Sequence, residues 1–304
     1  MRTFAIERLL VCIPVLLIIS IVVFAAMRML PGDPVDALYP ADASVSPEAK
    51  AELRRELGLD QPLPVQYLRW LQKTAGGDLG TSIRSRQPVT SMLWLRWKAT
   101  AQLVLWSTLL ALAIALPAGT IAAFRRGSVI DTGVSMLALT GLSIPNFALG
   151  TLLALCFGVW LHWTPTAGSL VLPVMTLGIG TAGILVRSVR SSMLDQLGGD
   201  YVRTARGKGL GPAAVQIVHI LPNAAPTMVT ILATVIGYQL GGAFIIEQIF
   251  VWPGLGQLLV QSISGRDYAT VQGIALLSTV TYLFVNLVAD LGRAMLDPRL
   301  LSRS

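Results

Sequence analysis

The sequence predicts an all-helical membrane protein, and three observations lead to that prediction. Hydrophobic residues make up 54% of the 304 residues and charged residues only 13%, whereas soluble domains carry about 25% charged residues. The apolar residues are gathered in blocks of about 20, the length at which a helix crosses a bilayer core. The blocks show no alternation of the kind that barrel strands have, and a helix satisfies its own backbone in lipid.

Six apolar blocks are long enough to span a membrane, and we predict six transmembrane helices from them. The first block follows Arg2 and Arg8 and is longer than the apolar core of a secretory signal, so we expect it to be a retained helix. Pro145 should kink the third block because it removes a backbone donor. The blocks cover residues 9–29, 99–123, 133–161, 170–186, 226–246 and 269–291.

The distribution of Lys and Arg predicts a cell (inner) membrane protein with both termini in the cytosol. The two short loops assigned to the outer side hold only Arg266 as a base, and the inner loops hold most of the others. The net charge of +7 therefore comes from the Lys and Arg residues of the loops assigned to the inner side. No soluble basic face is left for nucleic acid, and we expect no such partner. The inner bases are Arg2, Arg8, Arg125, Arg126, Arg187, Arg190, Arg203, Arg206, Lys208, Arg293, Arg299 and Arg303.

The segment 31–98 should form an extracytoplasmic helical segment between the first two spans. Residues 31–34 (Pro-Gly-Asp-Pro) predict a turn. Ser46 before Pro47 predicts the start of a helix that stops near Gly58, and a second helix is expected from Pro64 to about Thr74. The segment is either a surface addition or a docking platform at the pore mouth. We therefore predict three regions. Residues 1–30 form the N-terminus and the first span, and residues 31–98 form the extracytoplasmic segment. Residues 99–304 form the remaining spans, with a cytosolic loop at 187–225.

A polar, basic stretch between the fourth and fifth spans is the most informative part of the chain. Asp200 is a candidate N-cap, Gly209 or Gly211 a candidate helix stop, and Pro212 a candidate start of a second short helix. The pattern predicts helix, tight turn and helix at the inner face of the membrane. Such a pair could be a basic helix held by anionic lipid, or it could transmit motion from a soluble partner to the pore.

This stretch resembles the EAA loop of ABC-importer permeases. Residues 203–205 (Arg-Thr-Ala) occupy the Glu-Ala-Ala places, Gly209 the glycine four residues later, and Leu221-Pro222 the final pair. The replacements of Glu and the first Ala, and His219 in place of Ile, are similar to the peptide and nickel branch of that family. Other segments resemble the same branch in the same order: residues 30–34, 57–62, 77–80, 247–256, 266–268 and 296–299.

The resemblance implies a transport subunit and not an enzyme. The expected partners are a second homologous permease, two ATP-binding subunits and an extracytoplasmic substrate-binding protein. ATP and Mg would be bound by the partners, with no cofactor in this chain, since Gly207-Lys208 lacks the other P-loop residues. The residues expected to couple to the ATPase are Asp200, Tyr201, Arg203, Thr204, Ala205, Arg206, Lys208, Gly209, Leu210, Leu221 and Pro222.

The sequence constrains the cargo less than any other property. A dipeptide or oligopeptide is the favoured cargo. Nickel or a metal chelate is the alternative, because permeases for peptides and permeases for nickel have similar sequences. A secondary transporter is a rival class, which would need ionisable residues near mid-membrane and repeated broken helices.

Polar residues within or at the ends of spans are candidates for the pore or gate. Asp290 could instead form a structural ion pair near the interface. Cys12, Cys156, His162 and His219 form no metal-ligand pattern, so we expect no metal site. The candidates for the pore or gate are Asn146, Gln239, Glu247, Asn286 and Asp290.

Overall fold

The computed structural model describes residues 2–29, 35, 46–56 and 58–296, and in these residues it is almost wholly helical, as predicted. The predicted turn at 31–34 and the segment 297–299 lie outside the described residues. The helices are α1 (Arg2–Met29), α2 (Pro47–Glu56), α3 (Leu63–Ala75), α4 (Val89–Phe124), α5 (Val129–Ser143), α6 (Asn146–Leu153) with a π-helical continuation (Ala154–Trp160), α7 (Val171–Leu197), α8 (Asp200–Gly207), α9 (Pro212–Ala214) with a π-helical continuation (Val215–Ile220), α10 (Leu221–Ile249), α11 (Leu255–Ser264) and α12 (Tyr268–Leu296).

Five helical stretches in the described part of the chain are long and apolar enough to cross a membrane. A sixth is present if the bent pair of α5 with α6 and its continuation counts as one span. The structure therefore supports five or six of the predicted spans. The five stretches are Arg8–Met29, Val89–Phe124, Val171–Leu197, Pro212–Ile249 and Tyr268–Leu296.

The third apolar block is broken where the sequence predicted a kink. Helices α5 and α6 meet at an angle of 96°, and Ile144 between them is extended, with φ −86° and ψ 119°. Pro145 explains the break because its ring excludes helical geometry from the preceding residue and it has no N–H to continue the ladder. The bend therefore falls at the residue where the sequence predicted it, and it divides the block into two helices.

The chain forms two compact units. The first comprises Met1–Leu9, Thr100–Trp252 and Tyr282–Ser304. Helix α7 lies at its centre and packs against α5, α6 and α10. It also approaches α4 closely, since a Cβ on Gly119 would lie 2.7 Å from the Val186 carbonyl oxygen. Small residues therefore set the helix spacing in this unit.

The second unit comprises Leu10–Ala99 and Pro253–Thr281. Here α3 packs on the end of α1, with the Phe24 ring centroid 5.4 Å from Tyr67 and 5.8 Å from Trp70. The buried Asp267 carboxylate accepts hydrogen bonds from the hydroxyls of Ser82 (2.5 Å) and Thr270 (2.8 Å). These bonds fix the N-terminal turn of α12 against the segment before α4.

Candidate functional site

Helix α8 is amphipathic, and its inner face is anchored in the first unit. Val202 is 1% exposed and Ala205 4% exposed, because both lie three residues apart on one face of the helix. They pack in a cluster with the other buried residues Ala123, Val189, Met193, Val215, Ile220 and Ala224. The cluster thus joins α8 to the ends of α4, α7 and α10.

A tight turn at Gly209 ends α8. Gly209 has φ +81°, a left-handed conformation that glycine adopts without strain. Its N–H donates to the Arg206 carbonyl (2.9 Å), and the Leu210 N–H donates to the Ala205 carbonyl (3.3 Å). This arrangement satisfies the last carbonyls of the helix. Of the two predicted stops, Gly209 is the one that the chain uses, and Pro212 begins the next helix as predicted.

We call residues 200–220 the elbow: α8, the turn, α9 and its π-helical continuation. The outward face of α8 and the turn carries exposed side chains, mostly polar or basic, with the apolar Leu210 and the aromatic Tyr201 among them. Asp200 and Arg203 lie on this face 4.0 Å apart, with side chains 98% and 85% exposed. A pair so exposed contributes little to stability. The other exposed members of this face are Thr204, Arg206, Lys208 and Gly209.

The structure gives the local positions of five of the predicted coupling residues. Asp200 is the first helical residue and not the N-cap, which is Gly199 with extended backbone; the predicted N-cap was wrong by one residue. Ala205 points into the buried cluster. The Tyr201 hydroxyl donates to the Gln196 side-chain oxygen (2.9 Å), and partial burial raises the pKa of this hydroxyl. Leu221 and Pro222 begin α10.

A buried hydrogen-bond chain links three long helices of the first unit. The side chain of Gln239 on α10 is fully buried. Its oxygen accepts from the Thr108 hydroxyl of α4 (2.6 Å), and its nitrogen donates to the Thr181 hydroxyl of α7 (2.8 Å). Glu247, also fully buried, accepts from the Thr100 hydroxyl of α4 at 2.5 Å. Both side chains act as braces between helices in this conformation.

The other three candidates for the pore or gate lie in different surroundings. Asn146, at the start of α6, faces α7, since a Cβ on Gly180 would collide with its side-chain oxygen. Asn286 donates to the Tyr282 carbonyl of its own helix (2.9 Å). Asp290 forms an ion pair with Arg8 at 3.3 Å. The structure does not bring the five candidates into one cluster.

The sequence did not anticipate an ion pair between α5 and α7. Arg190 donates twice to Asp131, from Nε at 2.6 Å and from a terminal nitrogen at 2.8 Å, and the Gly127 N–H donates to the same carboxylate at 3.0 Å. The two side chains are 59 residues apart in the chain. The sequence assigns Arg190 only to the positive charge of the inner side, and the one signal for the pair is an acidic residue close to the helix cap Ser128.

A cavity of about 680 Å³ lies beside this ion pair within the first unit. Polar side chains of α7, among them Arg187, Ser188 and Asp195, line it together with apolar residues of α5 and α10. The part of the chain that the structure describes contains no group of three His, Cys, Asp or Glu side chains that could hold a metal ion.

Comparisons with known proteins assign the family. Residues 115–302 match the family described as "Binding-protein-dependent transport system inner membrane component", and residues 1–104 match "Binding-prot-dependent transport system membrane comp, N-term". The chain is 40% identical over 307 residues to the glutathione transport system permease protein GsiC of Salmonella paratyphi A, covering 98% of both chains. It is 38% identical over 316 residues, covering 99% of both chains, to a Brucella suis biovar 1 protein that is named, provisionally, as a peptide permease.

A solved structure extends the comparison to the fold. The chain is similar to a structure of the MetNI methionine ABC transporter in inward-facing conformations, with a TM-score of 0.61, 20% identity, and coverage of 68% of this chain and 97% of that one. At this identity the similarity concerns the fold alone. With two family matches along the chain and relatives of about 40% identity at full length, the chain belongs to the family of inner-membrane components of binding-protein-dependent transport systems.

Proposed function

We propose that this chain is the permease subunit of an ATP-driven importer and forms half of a translocation pore for peptides. Two observations support the cargo. One full-length relative is named for glutathione, which is a tripeptide, and another is provisionally named a peptide permease. Nickel or a metal chelate remains the alternative cargo, because the sequence motifs are shared between the two branches.

The proposed assembly contains a second permease, two ATP-binding subunits and an extracytoplasmic binding protein that delivers the cargo. ATP and Mg bind to the ATP-binding subunits. Both termini and the elbow face the cytosol, and residues 31–98 face outward. The low density of Lys and Arg in the short loops assigned to the outer side supports this orientation.

The elbow is the proposed contact with an ATP-binding subunit, and one observation carries this proposal. Its outward face is exposed and basic, while its inward face is packed on the ends of α4, α7 and α10. A partner that moves the outer face would therefore move three spans together. Coupling of this kind requires an element with two positions that the nucleotide state biases.

The polar residues of the spans have two proposed roles. Asn146, Asn286 and Asp290 are partly exposed in the single chain, and we assign the pore or gate to them. Gln239 and Glu247 are fully buried, and we assign them to the bracing of helices that move when the gate opens.

Reconstitution tests the proposed function. The chain, its second permease and the ATP-binding subunits are placed in liposomes with the binding protein outside, and uptake of labelled glutathione, an Ala-Ala dipeptide and radioactive nickel is measured. The proposal expects peptide uptake that needs both ATP and the binding protein. Uptake of nickel alone would transfer the assignment to the alternative cargo, and nucleotide-free uptake by this chain alone would establish a secondary transporter instead.

A further inference from the structure

Two cavities adjoin at the C-terminal end of α1, within the second unit. The larger, of about 550 Å³, is lined by residues of α1, α3 and the start of α12. The smaller is a groove of about 300 Å³ between α1 and the first turns of α3. Phe24 and Arg28 line both, so the two spaces share a wall.

The larger cavity is basic. Of the described residues that line it, Arg28, Arg55, Arg69 and Lys73 are basic and Asp78 is acidic. Arg69 and Lys73 stand four residues apart on α3 and therefore on one face. Neither forms an ion pair with any residue that the structure describes. Among the described residues, Arg69 and Lys73 thus bring two positive charges to the cavity wall that no ion pair compensates.

Two amide side chains in the wall of the cavity have polar atoms that find no partner among the described residues. Gln272 is 4% exposed, and its side chain makes no hydrogen bond within the described part of the chain. Gln66 is 9% exposed; its nitrogen donates to the carbonyls of Leu59 and Gln61, but its oxygen has no partner among the described residues. Buried polar groups are normally hydrogen-bonded, so the cavity is suited to a polar occupant.

The smaller groove is apolar and opens on the side of α1. Ile21, Ala25 and Leu63 line it, and the apolar stretch of α1 is long enough to span a membrane. The Arg28 guanidinium stands where the groove meets the basic cavity, 5.3 Å from the Phe24 ring centroid and 5.5 Å from that of Tyr268. Contacts with two aromatic faces hold this cation in position.

We infer that the paired cavities bind one anionic phospholipid, with its head group in the basic cavity and an acyl chain in the groove. Arg and Lys side chains form strong, charge-assisted hydrogen bonds with phosphate oxygens, so the basic cavity suits an anionic head group. A free phosphate ion would bind in the basic cavity alone, and an acidic protein surface would leave the apolar groove empty. The lipid belongs to the leaflet that the C-terminal end of α1 reaches.

Native mass spectrometry of the detergent-purified transporter tests this inference. The assembled complex is titrated with dioleoylphosphatidylglycerol or with dioleoylphosphatidylcholine. We expect tighter binding of the anionic lipid, and roughly 30-fold weaker binding after Arg69→Gln with Lys73→Gln, because two basic residues at about 1 kcal/mol each contribute about 2 kcal/mol near an anionic head group. The matched control, Arg84→Gln with Arg86→Gln, removes the same charge from exposed residues of the same unit that do not line the cavity, and should change affinity less than twofold.

A second pair of variants tests the acyl groove. Ala25→Phe fills the groove and should weaken binding of both lipids, whereas Ala26→Phe, an exposed neighbour that does not line the groove, should not. Equal effects of the two double charge variants would overturn the inference. So would full displacement of the lipid by inorganic phosphate with no effect of Ala25→Phe, which would indicate a simple anion site. Weaker capture of the binding protein by the Arg69/Lys73 variant, at unchanged lipid affinity, would indicate a protein dock and overturn it as well.

Discussion

The amide nitrogen of Gln239 donates a 2.8 Å hydrogen bond to the hydroxyl of Thr181, so that α10 and α7 are joined by two buried side chains. The oxygen of the same amide accepts from Thr108 of α4. One side chain therefore connects three of the long helices in the first unit. A membrane interior offers no water to replace these bonds.

Gln239→Leu should destabilise the chain by about 1 kcal/mol, because the Thr108 hydroxyl would be left buried without its acceptor. In a chain of this size we expect a fall in Tm of roughly 2–4 °C, measured by thermal unfolding in detergent. Thr234→Val is the control, since that exposed hydroxyl bonds only to its own helix at Thr230. An unchanged Tm for Gln239→Leu would show that the bond between helices contributes nothing.

Asp131→Asn should destabilise the chain more, because it leaves the Arg190 guanidinium without its carboxylate. Breaking a fully buried pair costs about 3–5 kcal/mol. The Arg190 side chain is 28% exposed, so we expect roughly 2 kcal/mol here after solvent screening. The measurement is again the Tm in detergent.

A double variant and a control complete the test of this ion pair. Asp131→Asn with Arg190→Gln removes both charges and should be more stable than Asp131→Asn alone, because no unpaired charge remains. Asp195→Asn removes an exposed acid of α7 that pairs with no residue in the described part of the chain, and should leave the Tm unchanged. A double variant less stable than the single one would contradict the pairing argument.

Gly209→Ala should impair coupling through backbone strain alone. A Cβ at Gly209 would meet no atom within 4 Å, but φ is +81°, and an L-residue in left-handed geometry costs about 1–2 kcal/mol. If the elbow must keep this turn when it binds the ATP-binding subunit, the affinity for that subunit should fall roughly 5–30-fold. Co-purification with the ATP-binding subunit measures this change.

Two further variants test whether the effect of Gly209→Ala comes from the positive φ of this residue. Gly211 also has open space around it but has φ −63°, so Gly211→Ala should bind and transport normally. Gly209→Asn should retain more binding than Gly209→Ala, since Asn tolerates positive φ. Equal binding by all three variants would remove the turn from the coupling mechanism.

Local signals in the sequence predicted much of the fold. The helix stop at Gly209 and the start at Pro212 follow from the backbone preferences of glycine and proline, and the spans follow from length and apolarity. The elbow likewise could be located by its polar character between two apolar blocks.

Features that depend on distant residues could not be read from the pattern. The Asp131–Arg190 pair joins residues 59 positions apart, and Gln239 finds its partners on two other helices. The 96° break at Pro145 depends on how α6 packs against α7 and α10 as well as on the proline itself. Tertiary packing decides such features, and composition carries no information about it.

Site-directed labelling of the elbow tests the central claim most directly. Arg203→Cys, on the exposed face, and Ala205→Cys, on the buried face, are made in a chain in which Cys12 and Cys156 are replaced by Ser. The account predicts that a membrane-impermeant maleimide labels Arg203→Cys from the cytosolic side only, that bound ATP-binding subunit protects it, and that Ala205→Cys stays unlabelled. Labelling of Arg203→Cys from the outside only, or labelling that the ATP-binding subunit leaves unchanged, would contradict the account.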